Sequence, residues 1–99
     1  MLKFAKTVEN DTILYKLEGR LDTVTAPELE NELKETMPEA QELVLDFENL
    51  EYISSAGLRV LLYAHKTMSA AGGMTLTHVN ETIMEIFEVT GFADILTIE

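Results

Sequence analysis

The chain has no cysteine, only two prolines, and seven lysines and arginines among 99 residues. Without cysteine there is no disulfide framework and no thiolate chemistry, which points to a reducing, cytoplasmic setting. Long hydrophobic runs are also missing: no stretch of about 18 apolar residues offers a membrane-spanning helix. The opening Met1–Lys6 segment lacks the apolar region of a secretory signal. No HExxH or Cys/His cluster suggests zinc, and no GxxxxGK[ST] or GxGxxG suggests a nucleotide phosphate site. With no nucleophile–base pairing in view, the expectation is a non-enzyme without metal or cofactor. The shortage of bases carries its own exclusion. Eighteen acids against seven bases give a net charge of −11, which repels nucleic-acid backbones and anionic membranes alike. An acidic surface keeps a small protein soluble, and it suits a protein partner with basic contact residues.

What remains is ordinary globular material, 46% hydrophobic and 25% charged. That is enough for one core, so residues 1–99 read as one domain. Residues 2–8 and 12–18 read as strands joined by the turn chemistry of Glu9-Asn10-Asp11-Thr12, the second ending at Gly19. Thr25 and Glu28 have capping-box spacing, and Pro27 suits a first helical turn. Ala26, Leu29, Leu33 and Met37 then recur at helical intervals up to Pro38.

Leu43–Phe47 is an apolar run, expected to be a central strand covered on both faces. Past Glu48-Asn49-Leu50-Glu51, a second helix opens at Ser54-Ser55. Its predicted inner face is Leu58, Leu61, Leu62, His65 and Ser69, widened by Val60, Ala64 and Met68, and Gly72-Gly73 is the predicted stop. His65 accordingly reads as a structural, partly buried residue. Met74–Val79 alternates like a strand, Asn80 caps a third helix closed by Gly91, and Ile95–Ile98 is a final short strand. The order β-β-α-β-α-β-α-(β) predicts an α/β fold whose crossovers are right-handed.

The candidate chemistry lies at strand ends, where α/β sheets present functional loops. Asp22 and Asp46 each stand near such an end, and Ser54 and Ser55 open a helix on the same rim. The plain reading is that Asp22 closes a turn, Asp46 ends a strand and a serine caps a helix. A helix N-terminus also accommodates phosphate through free N–H groups and a positive dipole end. A phosphate there adds roughly −1.5 to −2 charges without breaking the fold.

Four segments in order, Gly19-Arg20-Leu21-Asp22, Ala26-Pro27-Glu28-Leu29, Leu43-Val44-Leu45-Asp46-Phe47 and Tyr52-Ile53-Ser54-Ser55-Ala56-Gly57-Leu58, resemble the STAS domain family. The type most resembled is the free-standing bacterial anti-sigma factor antagonist. The resemblance implies a STAS-like domain with a mixed, mostly parallel sheet of four to five strands covered by helices. It implies that the unphosphorylated protein binds an anti-sigma factor of the histidine-kinase-like ATPase fold and so frees a sigma factor. The anti-sigma factor then phosphorylates the serine that opens the helix, and a PP2C-type phosphatase reverses the mark.

On this pattern Ser55 is the phospho-acceptor, with Ser54 as the second candidate. Asp22, Thr23, Thr25, Ser54, Ala56, Gly57 and Arg59 form the partner surface, and the protein is a monomer or weak dimer. Three departures stand out: Ser54 replaces the aspartate before the acceptor, Ala56 after it carries no hydroxyl, which narrows the acceptor to Ser54 or Ser55, and Arg59 stands where small residues are common. The alternative reading is a non-switching STAS scaffold subunit of a signalling or lipid-transport assembly.

Overall fold

The computed structural model describes residues 1–99. Strands β1 (Leu2–Glu9) and β2 (Thr12–Leu21) form an antiparallel hairpin whose turn holds Asn10 at φ 57°. Asparagine is among the residues that tolerate this left-handed geometry. Three parallel strands follow, β3 (Glu42–Ile53), β4 (Met74–Thr77) and β5 (Thr97–Ile98), in the spatial order β1-β2-β3-β4-β5. Helices α1 (Ala26–Thr36), α2 (Ser55–Ser69) and α3 (Glu81–Thr90) make the connections. Each parallel connection steps to the next strand in one direction, so right-handed crossovers lay all three helices on the same face. No helix is long and apolar enough to cross a membrane.

Burial follows from that topology. Ile13, Tyr15 and Leu17 on β2, Leu43, Leu45 and Phe47 on β3, and Met74 and Leu76 on β4 are buried beneath the helices. Their alternates face the other way: Lys3, Ala5, Lys16 and Glu18 are exposed, and Leu14, Val44 and Thr75 only half-buried. The apolar run in β3 is therefore covered on one face, against the expectation of two.

Strand β3 also runs past Phe47, where the expected strand stopped, as far as Ile53. The register explains why the pattern misleads. Lys16 pairs with Asp46 but Glu18 with Asn49, and Gly19 pairs with Leu50 but Arg20 with Tyr52. Each shift places one extra residue in β3, so the buried positions step from Leu43, Leu45 and Phe47 to Leu50 and Ile53. An alternation of two becomes a spacing of three, as bulges require. Gly19 likewise does not end its strand. It sits inside β2 at φ 105°, and a Cβ there would collide with the Met1 carbonyl.

Helix α1 buries the predicted Ala26, Leu29 and Leu33. Helix α2 is rotated from its expected face: Gly57, Leu58, Val60, Leu61, Ala64 and Met68 are buried, Leu62 and His65 half-buried, and Ser69 exposed. It ends at Ser69, short of the two glycines. Gly72 donates to the Gln41 carbonyl at 2.6 Å and Gly73 to that of Met68 at 2.9 Å. The third helix is capped as expected, Asn80 Oδ1 accepting from the Ile83 N–H at 2.8 Å and Gly91 closing the helix in the left-handed region.

Under α1, the fully buried Tyr15 donates its hydroxyl proton to Glu32 at 2.7 Å, with the Thr36 hydroxyl 3.1 Å away. Burial is the main cause that pushes this phenol up to about 12, and its neighbour Glu32 adds to it. A raised value means the folded state keeps the proton that the unfolded chain releases near pH 10. The stabilisation is complete below pH 10 and fades as pH approaches 12, a loss on the order of 2 kcal/mol. Denaturant midpoints measured across this window should fall less steeply for Tyr15→Phe than for the natural chain.

Candidate functional site

Beyond Leu21 the chain turns through Asp22–Thr25 into α1. Asp22 Oδ1 accepts from the N–H groups of Val24 (3.0 Å) and Thr25 (3.1 Å), an Asx-type turn. Thr25 Oγ1 accepts from the Asp22 N–H at 2.8 Å and donates to the Arg20 carbonyl at 2.8 Å. The expected capping box is therefore not formed. Thr25 already has helical backbone angles, and its hydroxyl is spent on the preceding turn. These donors, the Thr25 N–H first, hold the Asp22 carboxyl below its ordinary value, so it is charged at neutral pH. Arg20 lies 3.8 Å from Asp22 Oδ2, with its guanidinium 4.3 Å over the Tyr52 ring.

The serine junction is fastened to this turn. The Ser54 N–H donates to the Leu21 carbonyl at 2.9 Å, placing the start of α2 beside the end of β2. Gly57 makes the approach sterically feasible: a Cβ there would lie 2.7 Å from Ile53 Cγ1 and 2.8 Å from Leu21 Cγ. Ser54 is the N-cap residue in extended conformation, yet its side chain makes no cap bond, and its Oγ is buried without a partner. Ser55, the first helical residue, is exposed. An orphaned buried hydroxyl costs about 1–3 kcal/mol. Ser54→Ala should therefore leave stability unchanged or raise it by about 1 kcal/mol, where loss of a working cap would lower it by a similar amount. A denaturant titration reads the sign.

The two junctions share a shallow groove between α1 and α2, lined by Thr23, Pro27, Ala56, Arg59 and Tyr63 among others. Thr23, Val24 and Arg59 are exposed, Asp22, Ser54 and Ala56 half-buried. Among the expected contact residues, Thr25 and Gly57 are buried, so they shape this surface from beneath. Asp46 is not part of it. It sits mid-strand in β3, eight residues before Ser54, which is roughly 20 Å or more of extended chain. Its carboxylate instead receives the Glu48 N–H at 2.9 Å and lies 3.0 Å from His78 Nδ1. Tyr63 was not among the expected contact residues, and Pro27 was read only as a first-turn residue. Nothing in their spacing marks them as neighbours until α1 and α2 bring them to one groove.

The model of the STAS domain matches residues 3–99. The chain belongs to the STAS domain family. BtrV of Bordetella bronchiseptica is 37% identical to it over 84 residues, covering 83% of this chain and 72% of that protein. The anti-sigma-B factor antagonist of Bacillus subtilis is 30% identical over 94 residues, covering 94% and 85%. An anti-sigma factor antagonist from Mycobacterium paratuberculosis superposes with a TM-score of 0.89 at 19% identity, over 99% of this chain and 85% of that one. Phosphorylated SpoIIAA of Bacillus superposes at 0.76 and 19% identity, over 98% and 91%. At these identities the superpositions establish the fold of this STAS domain: five strands in a mixed sheet with three helices on one side.

Proposed function

We propose that this STAS domain is an anti-sigma factor antagonist controlled by phosphorylation of Ser55. Unphosphorylated, it binds an anti-sigma factor of the histidine-kinase-like ATPase fold through the face bearing Asp22, Thr23, Ser55, Ala56 and Arg59, and so releases a sigma factor. The bound ATPase transfers the γ-phosphoryl group of ATP to Ser55 Oγ, the hydroxyl proton leaves, and ADP is the other product. A PP2C-type phosphatase hydrolyses the ester. The STAS domain contributes no catalytic group to either reaction.

The observation that carries this reading is the contrast between two adjacent hydroxyls. Ser55 is exposed beside the Thr23–Arg59 groove, while Ser54 Oγ is buried. A kinase needs its acceptor oxygen free for in-line attack, a condition Ser55 meets. The phosphate then sits at the N-terminus of a fifteen-residue helix, where free N–H groups and the dipole favour negative charge. The name of the Bacillus subtilis relative supports an anti-sigma factor as the partner, and the ATPase fold of that partner rests on the family resemblance.

The test is incubation with a candidate ATPase-fold anti-sigma factor and ATP, with intact mass read before and after. One phosphate is expected on the natural chain and on Ser54→Ala, and none on Ser55→Ala. Equal phosphorylation of Ser55→Ala overturns the site. No phosphate on any form, together with a stable complex, favours the scaffold reading.

A further inference from the structure

We propose that Asp46, Glu48 and His78 form a binding site for a divalent transition-metal ion of the zinc type. The site is separate from the Ser55 surface and does not depend on its function. The β3–β4 register pairs Asp46 with Thr77, so the next residue, His78, emerges level with the β3 segment that carries Asp46 and Glu48. His78 has a φ of 56°, unusual for a residue with a side chain, and its ring is turned toward β3 with Nδ1 3.0 Å from Asp46 Oδ1. Two residues on, Asn80 donates to the Leu50 carbonyl at 3.0 Å, so the whole β4–α3 link is held against β3. Glu48, two residues after Asp46 on β3, donates its N–H to Asp46 Oδ1 at 2.9 Å. One ligand atom from each of the three side chains lies within 4.8 Å of the others.

The chemistry of this set is selective. Donors about 2.0–2.1 Å from a tetrahedral ion stand roughly 3.3 Å apart, close to the present Asp46–His78 separation. The Asp46 side chain is only 10% exposed, so one carboxylate is already held in place. Glu48 is exposed and free to swing onto the ion. An imidazole with two carboxylates favours zinc and its neighbours over magnesium or calcium, which prefer all-oxygen shells. His78 serves through Nδ1, the ring nitrogen that faces Asp46, with the N–H carried on Nε2. Beside the triad, Glu18, Glu48 and Glu51 line an open cavity with Asn80. Its negative field draws cations in and leaves the remaining coordination positions to water. No sequence motif betrays the site, because Asp46 and His78 lie 32 residues apart and meet through strand pairing alone.

Calorimetric titration of the metal-stripped full chain with zinc chloride tests the proposal. The expected result is one zinc per chain, with binding weakened at least tenfold by His78→Asn and by Glu48→Gln, and unaffected by His65→Asn. Asparagine tolerates the left-handed backbone and can still donate to Asp46, and thermal melts confirm that both variants are folded. Magnesium in large excess should not displace the zinc. Undiminished affinity in either variant, several weak ions per chain, or loss on His65→Asn overturns the three-ligand site.

Discussion

Ser55→Asp should abolish tight binding to the proposed anti-sigma factor partner while the thermal midpoint stays the same or rises slightly. The two halves of this expectation rest on different physics. At the first position of α2, a carboxylate meets the free N–H groups of the helix start and gains roughly 0.3–1 kcal/mol from the dipole. The side chain is exposed, so no packing is disturbed. At an interface the same charge is desolvated beside Asp22, which its turn donors keep ionised. An unpaired buried charge costs about 2–5 kcal/mol, a weakening of roughly thirty- to several-thousand-fold. Ser55→Ala should bind like the natural chain, which separates charge from loss of the hydroxyl. Affinities from calorimetry, read beside thermal melts of the isolated domain, check both halves. Equal binding by Ser55→Asp would sever the link between this position and the partner.

The second large effect is structural. Gly57→Val should destabilise the domain by about 3 kcal/mol or more, within the upper range for overpacking a filled core. Even a single Cβ at this position falls 2.7–2.8 Å from Ile53 and Leu21, both nearly inaccessible to solvent. Valine adds two further methyl groups and a restricted χ1 in a helix. Its rigid neighbours are the last residues of β2 and β3, paired with each other, so neither can retreat alone. At about 4–8 °C per kcal/mol for a domain near this size, the midpoint should drop by roughly 12 °C or more. A scanning melt reads it. Gly57→Ala should lose less, because alanine regains up to about 1 kcal/mol of helix propensity. The variant would also push Ser55 away from the Asp22 turn, so the phosphate transfer rate should fall in the fraction that stays folded.

Local chemistry made much of this legible. The Asn10-Asp11 turn, the Ala26–Leu29–Leu33 stripe, the Asn80 cap and the Gly91 stop depend on residues within a few positions of one another, and each stands where the sequence places it. The Ser54-Ser55 junction was legible for the same reason. The roles of two hydroxyls there were not: Thr25 spends its hydroxyl on Arg20 and Asp22 rather than on its own helix, and Ser54 has its hydroxyl sealed off without a partner.

Element order, the two ends of α3 and the serine pair were determined by the sequence alone, since short-range periodicity and turn chemistry are enough to specify them. Tertiary structure decided the length of β3, the rotation of α2, the exposure of Ser55 against Ser54, and the meeting of Asp46 with His78. Each of these turns on strand register or close approach between distant segments. A register shift of one residue changes which side chains share a face, and nothing in the local pattern records it.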